Sequence, residues 1–200
     1  MKIDDIVKTG IYKKDQVKKE RFKCFIIPEY FSKTFTDFFQ FDFEVDEFNK
    51  EIINQLYYYL NKSENFNGDV EKGIMLIGAI GCGKTAIMDS FVNIVEAYGS
   101  KVIEKIQSKE IAEIIIEKKT FYDKRPLYID DVGKEAIEII NFGTVIRPIE
   151  DLLDTRYRNR SITFATSNFT FDDLQYNKHT KDRIKEMFNI IILKGNSRRK

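Results

Sequence analysis

Apolar positions along the chain follow two different periods. From residue 73 onward, short continuous apolar runs alternate with stretches of helical spacing. GIMLIG at 73–78 has the unbroken apolar character of a strand buried on both faces. KVIEKI at 101–106, LYID at 127–130, SITFATSN at 161–168 and NIIIL at 189–193 are four further predicted strands. Between them, Ile87, Phe91 and Val95 recur at i, i+4 and i+8, which predicts a helix from about Lys84 to Ala97 that stops at Gly99. Helices are also predicted over 108–119, capped by Ser108, over 145–158 and over 180–188. Strands alternating with helices imply an α/β fold with three layers, a five-stranded parallel sheet between helices on both faces.

The pattern before residue 73 is different. Asp46 is positioned to cap a helix running to about Leu60, with Phe48, Ile52, Leu56 and Tyr59/Leu60 along one face. The polar stretch KSENFNGDVEK at 62–72 then divides the chain into an N-terminal extension, 1–70, and a core, 71–200. Nine phenylalanines fall between residues 22 and 48. We expect them to pack on the core as an extra layer, because so many exposed rings would promote aggregation. The alternative is a docking surface for a protein partner.

Composition narrows the class only a little. A chain of 200 residues with 42% hydrophobic and 32% charged residues can bury a core without covalent staples. Cys24 and Cys82 form no disulfide framework, and no apolar run approaches a membrane span, so a reducing cytoplasm is the expected setting. The net charge of +1 is uneven: residues 176–200 carry eight Lys/Arg against two Asp/Glu. A basic face of this kind suits nucleic acid or phosphates.

The chemistry is concentrated in four stretches. GAIGCGKT, residues 78–85, satisfies G-x-x-x-x-G-K-[ST] and lies between a buried strand and an amphipathic helix. The backbone of Gly78, Ala79, Ile80, Gly81, Cys82 and Gly83, continuing into Lys84, Thr85 and Ala86, is expected to cradle the phosphates of ATP. Lys84 would contact the β- and γ-phosphates, and the Thr85 hydroxyl would hold Mg²⁺. LYIDDVG, 127–133, ends an apolar strand in two acids. Asp130 is the expected Mg²⁺-side acid, and Asp131 is placed to polarise the attacking water if the strand's end turns it toward the γ-phosphate. Otherwise Asp131 is a cap or surface charge. Asp130-x-x-Gly133 also fits a GTPase pattern, but NKHT at 177–180 lacks the aspartate that would pair with guanine. In TFATSN, 163–168, Asn168 is the residue chosen to bond the γ-phosphate or water; the alternative is a turn cap. In DRIKEMFN, 182–189, Arg183 lies off the apolar side of a short helix, either as a surface ion pair or as an arginine offered to a neighbouring subunit.

The order GxxxxGKT, IDDVG, TSN and DRIKEM resembles the DnaC/IstB-like branch of AAA+ ATPases, the helicase loaders and transposase helpers, over roughly residues 72–199. KGNSRR is similar to the G-x-S-x-R ending of such proteins, with Arg198 taken as its terminal arginine. The resemblance implies a P-loop NTPase of the AAA+ ASCE type without a full C-terminal lid domain. It implies an ATPase that forms a nucleotide- and DNA-dependent homo-oligomer on single-stranded DNA and acts on a replicative helicase. Lys84 and Thr85 would be the phosphate and Mg²⁺ ligands, Asp130 and Asp131 the Walker B pair, Asn168 the first sensor and Arg183 the arginine finger. Asp131 stands where many AAA+ proteins have Glu, and the shorter acid implies slow intrinsic hydrolysis.

Two other readings remain. A transposition helper would share the fold but act on a transposase. A small-molecule kinase would need an arginine-rich lid, for which Arg147, Arg156, Arg158 and Arg160 are the candidates. For DNA contact the candidates are Arg156–Arg160 with Tyr157, and Lys118 and Lys119 with Phe121 and Tyr122, because single-strand sites pair cations with stacking rings; each cluster taken alone is read first as a solvated face.

Overall fold

A computed structural model describes residues 26, 28–37, 45–99 and 101–198. Among the described residues two helices come first, α1 (Pro28–Asp37) and α2 (Lys50–Leu60). Strand β1 (Gly73–Gly78) leads into α3 (Lys84–Gly99), then β2 (Glu104–Gln107), α4 (Ile111–Ile116) and β3 (Leu127–Val132). A two-stranded hairpin follows, β4 (Ile139–Asn141) with β5 (Thr144–Ile146), then α5 (Pro148–Arg158), β6 (Thr163–Ser167), α6 (Lys178–Met187) and β7 (Phe188–Leu193).

The expected five strands form one sheet in the order β2-β3-β6-β1-β7, and every pairing within it is parallel. The sheet separates two cores because alternate side chains of each strand face opposite sides. Ile74 and Leu76 of β1 pack with Ile87, Phe91 and Val95 of α3. Met75 and Ile77 pack on the other side with Ile111, Leu152 and Ile184 from α4, α5 and α6. The first core also takes in Phe31 and Phe35 of α1 and Leu56, Tyr59 and Leu60 of α2. Phe31 and Phe35 are thus an added apolar layer, as expected; the other phenylalanines before Phe48 lie outside the described residues.

Three local expectations need correction. The 108–119 helix is shorter: a 3₁₀ turn at Ser108–Glu110 precedes α4, and Glu110 accepts the Gln107 amide at 2.6 Å. Ser108 is therefore free to serve elsewhere. The helix expected from 145 starts at Pro148, whose fixed φ suits the first helical position. Residues 139–146 instead form the hairpin, turned by Phe142 (φ 47°) and Gly143 (φ 81°), the two left-handed positions that a tight hairpin turn requires. Ile140, Phe142 and Val145 stand exposed on it. Finally, Asp46 caps the turn before α2 rather than the helix itself, accepting the Phe48 and Asn49 amides at 2.9 and 3.0 Å.

At the end of the sheet away from the glycine loop, one side chain gathers the incoming segments. Arg156 of α5 is fully buried without a carboxylate partner. It donates to Thr163 Oγ1 at 2.9 Å, to the Arg125 and Ile162 carbonyls at 3.0 and 2.6 Å, and to the Tyr122 carbonyl. Burial brings its pKa down to about 9, so it remains charged at neutral pH. Arg156→Met keeps the stem but strands these buried acceptors, at about 1–3 kcal/mol for a lost buried partner. Urea unfolding should show a loss in that range, whereas exposed Arg158→Met should cost under about 0.5 kcal/mol. Equal losses would show that the buried network does not hold this end of the sheet.

Candidate functional site

The three strands β1, β6 and β3 lie side by side, and their C-terminal ends carry GAIGCGKT, Asn168 and the two acids. A parallel sheet opens its ligand crevice at this end. The phosphate loop runs from Gly78 to the start of α3 at Lys84, so its amides and the helix N-terminus form an anion cradle. Lys84 is almost fully buried, and its Nζ donates to the Ala79 carbonyl and to Asn168 Oδ1, both at 2.8 Å. Burial lowers its pKa, against the opposing pull of Cys82 and Asp131.

The two acids face one site because β3 and β6 are out of step. Their register shifts between Ile129↔Ala165 and Val132↔Ser167, so Asp130 and Asp131 together oppose Thr166. Such a bulge bends the strand and redirects a side chain. Asp131 takes φ 61°, a left-handed conformation that aspartate tolerates better than most residues. Thr166 Oγ1 clamps the bulge, accepting the Asp131 amide at 3.0 Å and donating to Asp130 Oδ1 at 2.6 Å. Ser108 Oγ donates to the Asp131 carbonyl at 2.7 Å.

Asp130 is buried, and its Oδ1 takes three donors: Thr166, Thr85 Oγ1 at 2.9 Å and Tyr128 Oη at 2.9 Å. Burial, with Asp130 and Asp89 close by, pushes the Tyr128 phenol well above its usual pKa, so it stays a donor. Asn168 Nδ2 donates to Asp131 Oδ1 at 2.7 Å, so this amide joins Lys84 to Asp131. The other Asp131 oxygen pairs with Lys134 at 2.6 Å. Thr85 and Asp130 fit a Mg²⁺ ion, which commonly takes one or two protein oxygens and completes its shell with phosphates and water. Among the described residues no group of three or more His, Cys, Asp or Glu is placed to hold a metal without such help.

Lys84, Thr85, Asp130, Asp131 and Asn168 are therefore brought together, and Arg183 is not. It sits on α6, paired with Asp154 of α5 and with its guanidinium 5.3 Å from the Tyr157 ring centre. Arg198 comes to the loop from the far end of the chain. Its amide donates to the Gly81 carbonyl at 2.9 Å and its Nε to the Cys82 carbonyl at 3.1 Å. A further guanidinium nitrogen meets Asp46 Oδ2 at 2.5 Å. Counted strictly from Gly195, the G-x-S-x-R pattern ends on Arg199, outside the described residues, so Arg198 is the residue before that position.

Sequence reasoning missed Tyr128, Lys134 and Ser108, and read Thr166 only as part of TSN. The available signal was the hydroxyl of Tyr128 two residues before Asp130 and that of Thr166 two residues before Asn168. The basic clusters also change. Arg156 is buried and cannot touch DNA from the Arg156–Arg160 group. Lys119 is paired with Glu113 and Glu117, and Arg125 beside Phe121 is paired with Glu104. Arg147 and Arg158 make surface ion pairs with Glu138 and Asp154, so of the arginines considered for a kinase lid only Arg156 lies inside the fold.

A phosphate loop after β1, two acids at the end of β3 and a polar residue at the end of β6, the strand between them, form the arrangement of a P-loop nucleotide-binding fold. No protein-family model and no curated protein sequence matches the chain. Solved structures do. DnaI superposes with a TM-score of 0.61 at 22% identity, covering 82% of this chain and 93% of DnaI. The DnaC helicase loader gives 0.60 at 17%, covering 84% and 100%. The replication initiator DnaA bound to AMPPCP and single-stranded DNA gives 0.59 at 18%, covering 86% of this chain and 52% of that one. The chain shares the fold of DnaI, the DnaC helicase loader and DnaA.

Thr166→Val should destabilise the protein more than Tyr128→Phe. The first leaves the buried Asp131 amide unpaired, at about 1–3 kcal/mol, and the second removes one of three donors, at about 1 kcal/mol. Thermal unfolding without nucleotide measures both, and the reverse order would place the anchor of the acids on Tyr128.

Proposed function

We propose that the chain is a slow, partner-regulated ATPase of helicase-loader type that acts with single-stranded DNA and a replicative helicase. The observation that carries the reading is the continuous chain Lys84–Asn168–Asp131, set beside the Thr85–Asp130 pair at the mouth of the sheet. The likeness to structures described as a helicase loader and a DNA-bound initiator supports the choice of partners. Within the fold, no helix of the described residues is long and apolar enough to cross a membrane.

On ATP binding, Lys84 exchanges the Ala79 carbonyl for phosphate oxygens. Thr85 and Asp130 would hold Mg²⁺, which would supply neutralisation of phosphate charge. Asn168 keeps its amide between the γ-phosphate and Asp131, and Asp131 orients the attacking water. In the resting chain both Asp131 oxygens are engaged, one by Asn168 and one by Lys134. That engagement accounts for slow basal turnover. Arg183 serves a neighbouring subunit after leaving Asp154, so the active form is an oligomer.

A mixing experiment separates shared from self-contained sites. Lys84→Ala should not bind ATP, while Arg183→Ala should bind it and lose turnover by roughly 10³-fold or more. Mixed in the presence of single-stranded DNA, the two should recover a fraction of wild-type turnover, since one supplies the arginine to the other's site. No recovery, with Arg183→Ala hydrolysing normally alone, would end the finger assignment. Stimulation by a transposase and not by a helicase would move the protein to the helper reading.

Lys134→Ala should raise basal turnover up to about fivefold, because an exposed ion pair contributes at most about 1 kcal/mol. Steady-state phosphate release measures this, and an unchanged or lower rate would show that Lys134 does not restrain Asp131.

A further inference from the structure

The contacts of Arg198 tie together three stretches that are distant in sequence: the segment entering α2, the phosphate loop and the end of the chain. Two carbonyls of the loop, on Gly81 and Cys82, are taken by Arg198. The approach is close. A Cβ on Gly81 would lie 2.4 Å from Ser197 Oγ, and Gly81 has φ 81°, so only glycine leaves room for the tail to lie against the loop. The outer end of the guanidinium is held by Asp46, whose other carboxylate oxygen accepts the Phe48 and Asn49 amides. Burial is the largest single influence and raises the Asp46 pKa, but the Arg198 hydrogen bond and charge and those two amides together outweigh it and hold the carboxyl below its usual value.

We propose that Arg198 is a positioning residue for the phosphate loop, a strut braced on Asp46 through which the segment entering α2 sets nucleotide affinity. The inference rests on the ATP-binding reading above and assigns a regulatory link to the same site. The Arg198 contacts are to loop backbone, which cradles the phosphates common to ATP and ADP. Its removal therefore loosens the cradle for both nucleotides alike. A guanidinium that read the γ-phosphate would discriminate between them. Because Asp46 acts only through Arg198, its own effect must vanish when Arg198 is gone.

The test uses the full chain and fluorescent ADP and non-hydrolysable ATP analogues, with wild type, Arg198→Ala, Arg198→Lys, Asp46→Asn and the Asp46→Asn/Arg198→Ala double variant. Wild type that binds neither nucleotide, or Lys84→Ala that binds both as wild type does, removes the ATP-binding reading itself. With those controls sound, Arg198→Ala should weaken both nucleotides about tenfold and equally. Arg198→Lys should fall between, since it keeps the charge and loses the two-sided reach. Asp46→Asn should weaken binding about threefold, and the double variant should match Arg198→Ala. Three results overturn the proposal: unchanged affinity in Arg198→Ala, a loss confined to the ATP analogue, or additive effects in the double variant. If Arg198→Ala proves unfolded by circular dichroism, the comparison of Arg198→Lys with Asp46→Asn/Arg198→Lys decides on the same criteria.

Discussion

The site depends on a mismatch of one residue between two neighbouring strands. Between Ile129 and Val132, β3 spends two residues where β6 spends one, and Thr166 is that one. In a regular strand Asp130 and Asp131 would face opposite sides of the sheet, and only one could meet a phosphate. The bulge puts both on the same crevice, and the Thr166 hydroxyl holds both, one by its lone pair and one by its proton. Ser108 steadies the carbonyl of the displaced residue from β2's side. The Asn168 bridge to Lys84 follows from this placement, since an Asp131 on the far face would be out of its reach.

Much of this was legible in the sequence, for identifiable reasons. The glycine loop announces itself because backbone curvature and phosphate contact require fixed residues at fixed spacing, and five apolar runs suffice to give the parallel sheet. Asp130 and Asn168 could be placed because each ends a buried strand in a polar residue. The hairpin at 139–146 was not legible, because its apolar residues lie on an exposed ribbon and match a helix as easily as a strand. Arg156 was misread for a related reason: a charged residue in a basic cluster looks exposed until the carbonyls it serves are brought around it. Arg198 lies 116 residues from the loop it contacts, and no local pattern carries that information.

The two ends of the sheet are held by different chemistry. At the crevice, polar side chains are held in place by other polar side chains. At the opposite end, Arg156 meets carbonyls and a hydroxyl. Between them lie two apolar layers, one extended by the aromatic residues of α1 and α2, with Tyr59 meeting Phe91 and Phe164 edge to face.

The left-handed backbone at Asp131 also restricts which amino acids the position accepts. The conformation suits Gly, Asn and Asp best, although Lys62, Lys118, Phe142 and Arg160 adopt it elsewhere in this chain. Of those three, only aspartate is an acid. The short carboxylate thus meets a backbone preference at the same time as it turns an acid toward the crevice. A longer acid would carry a higher conformational cost at the very bulge that Thr166 clamps.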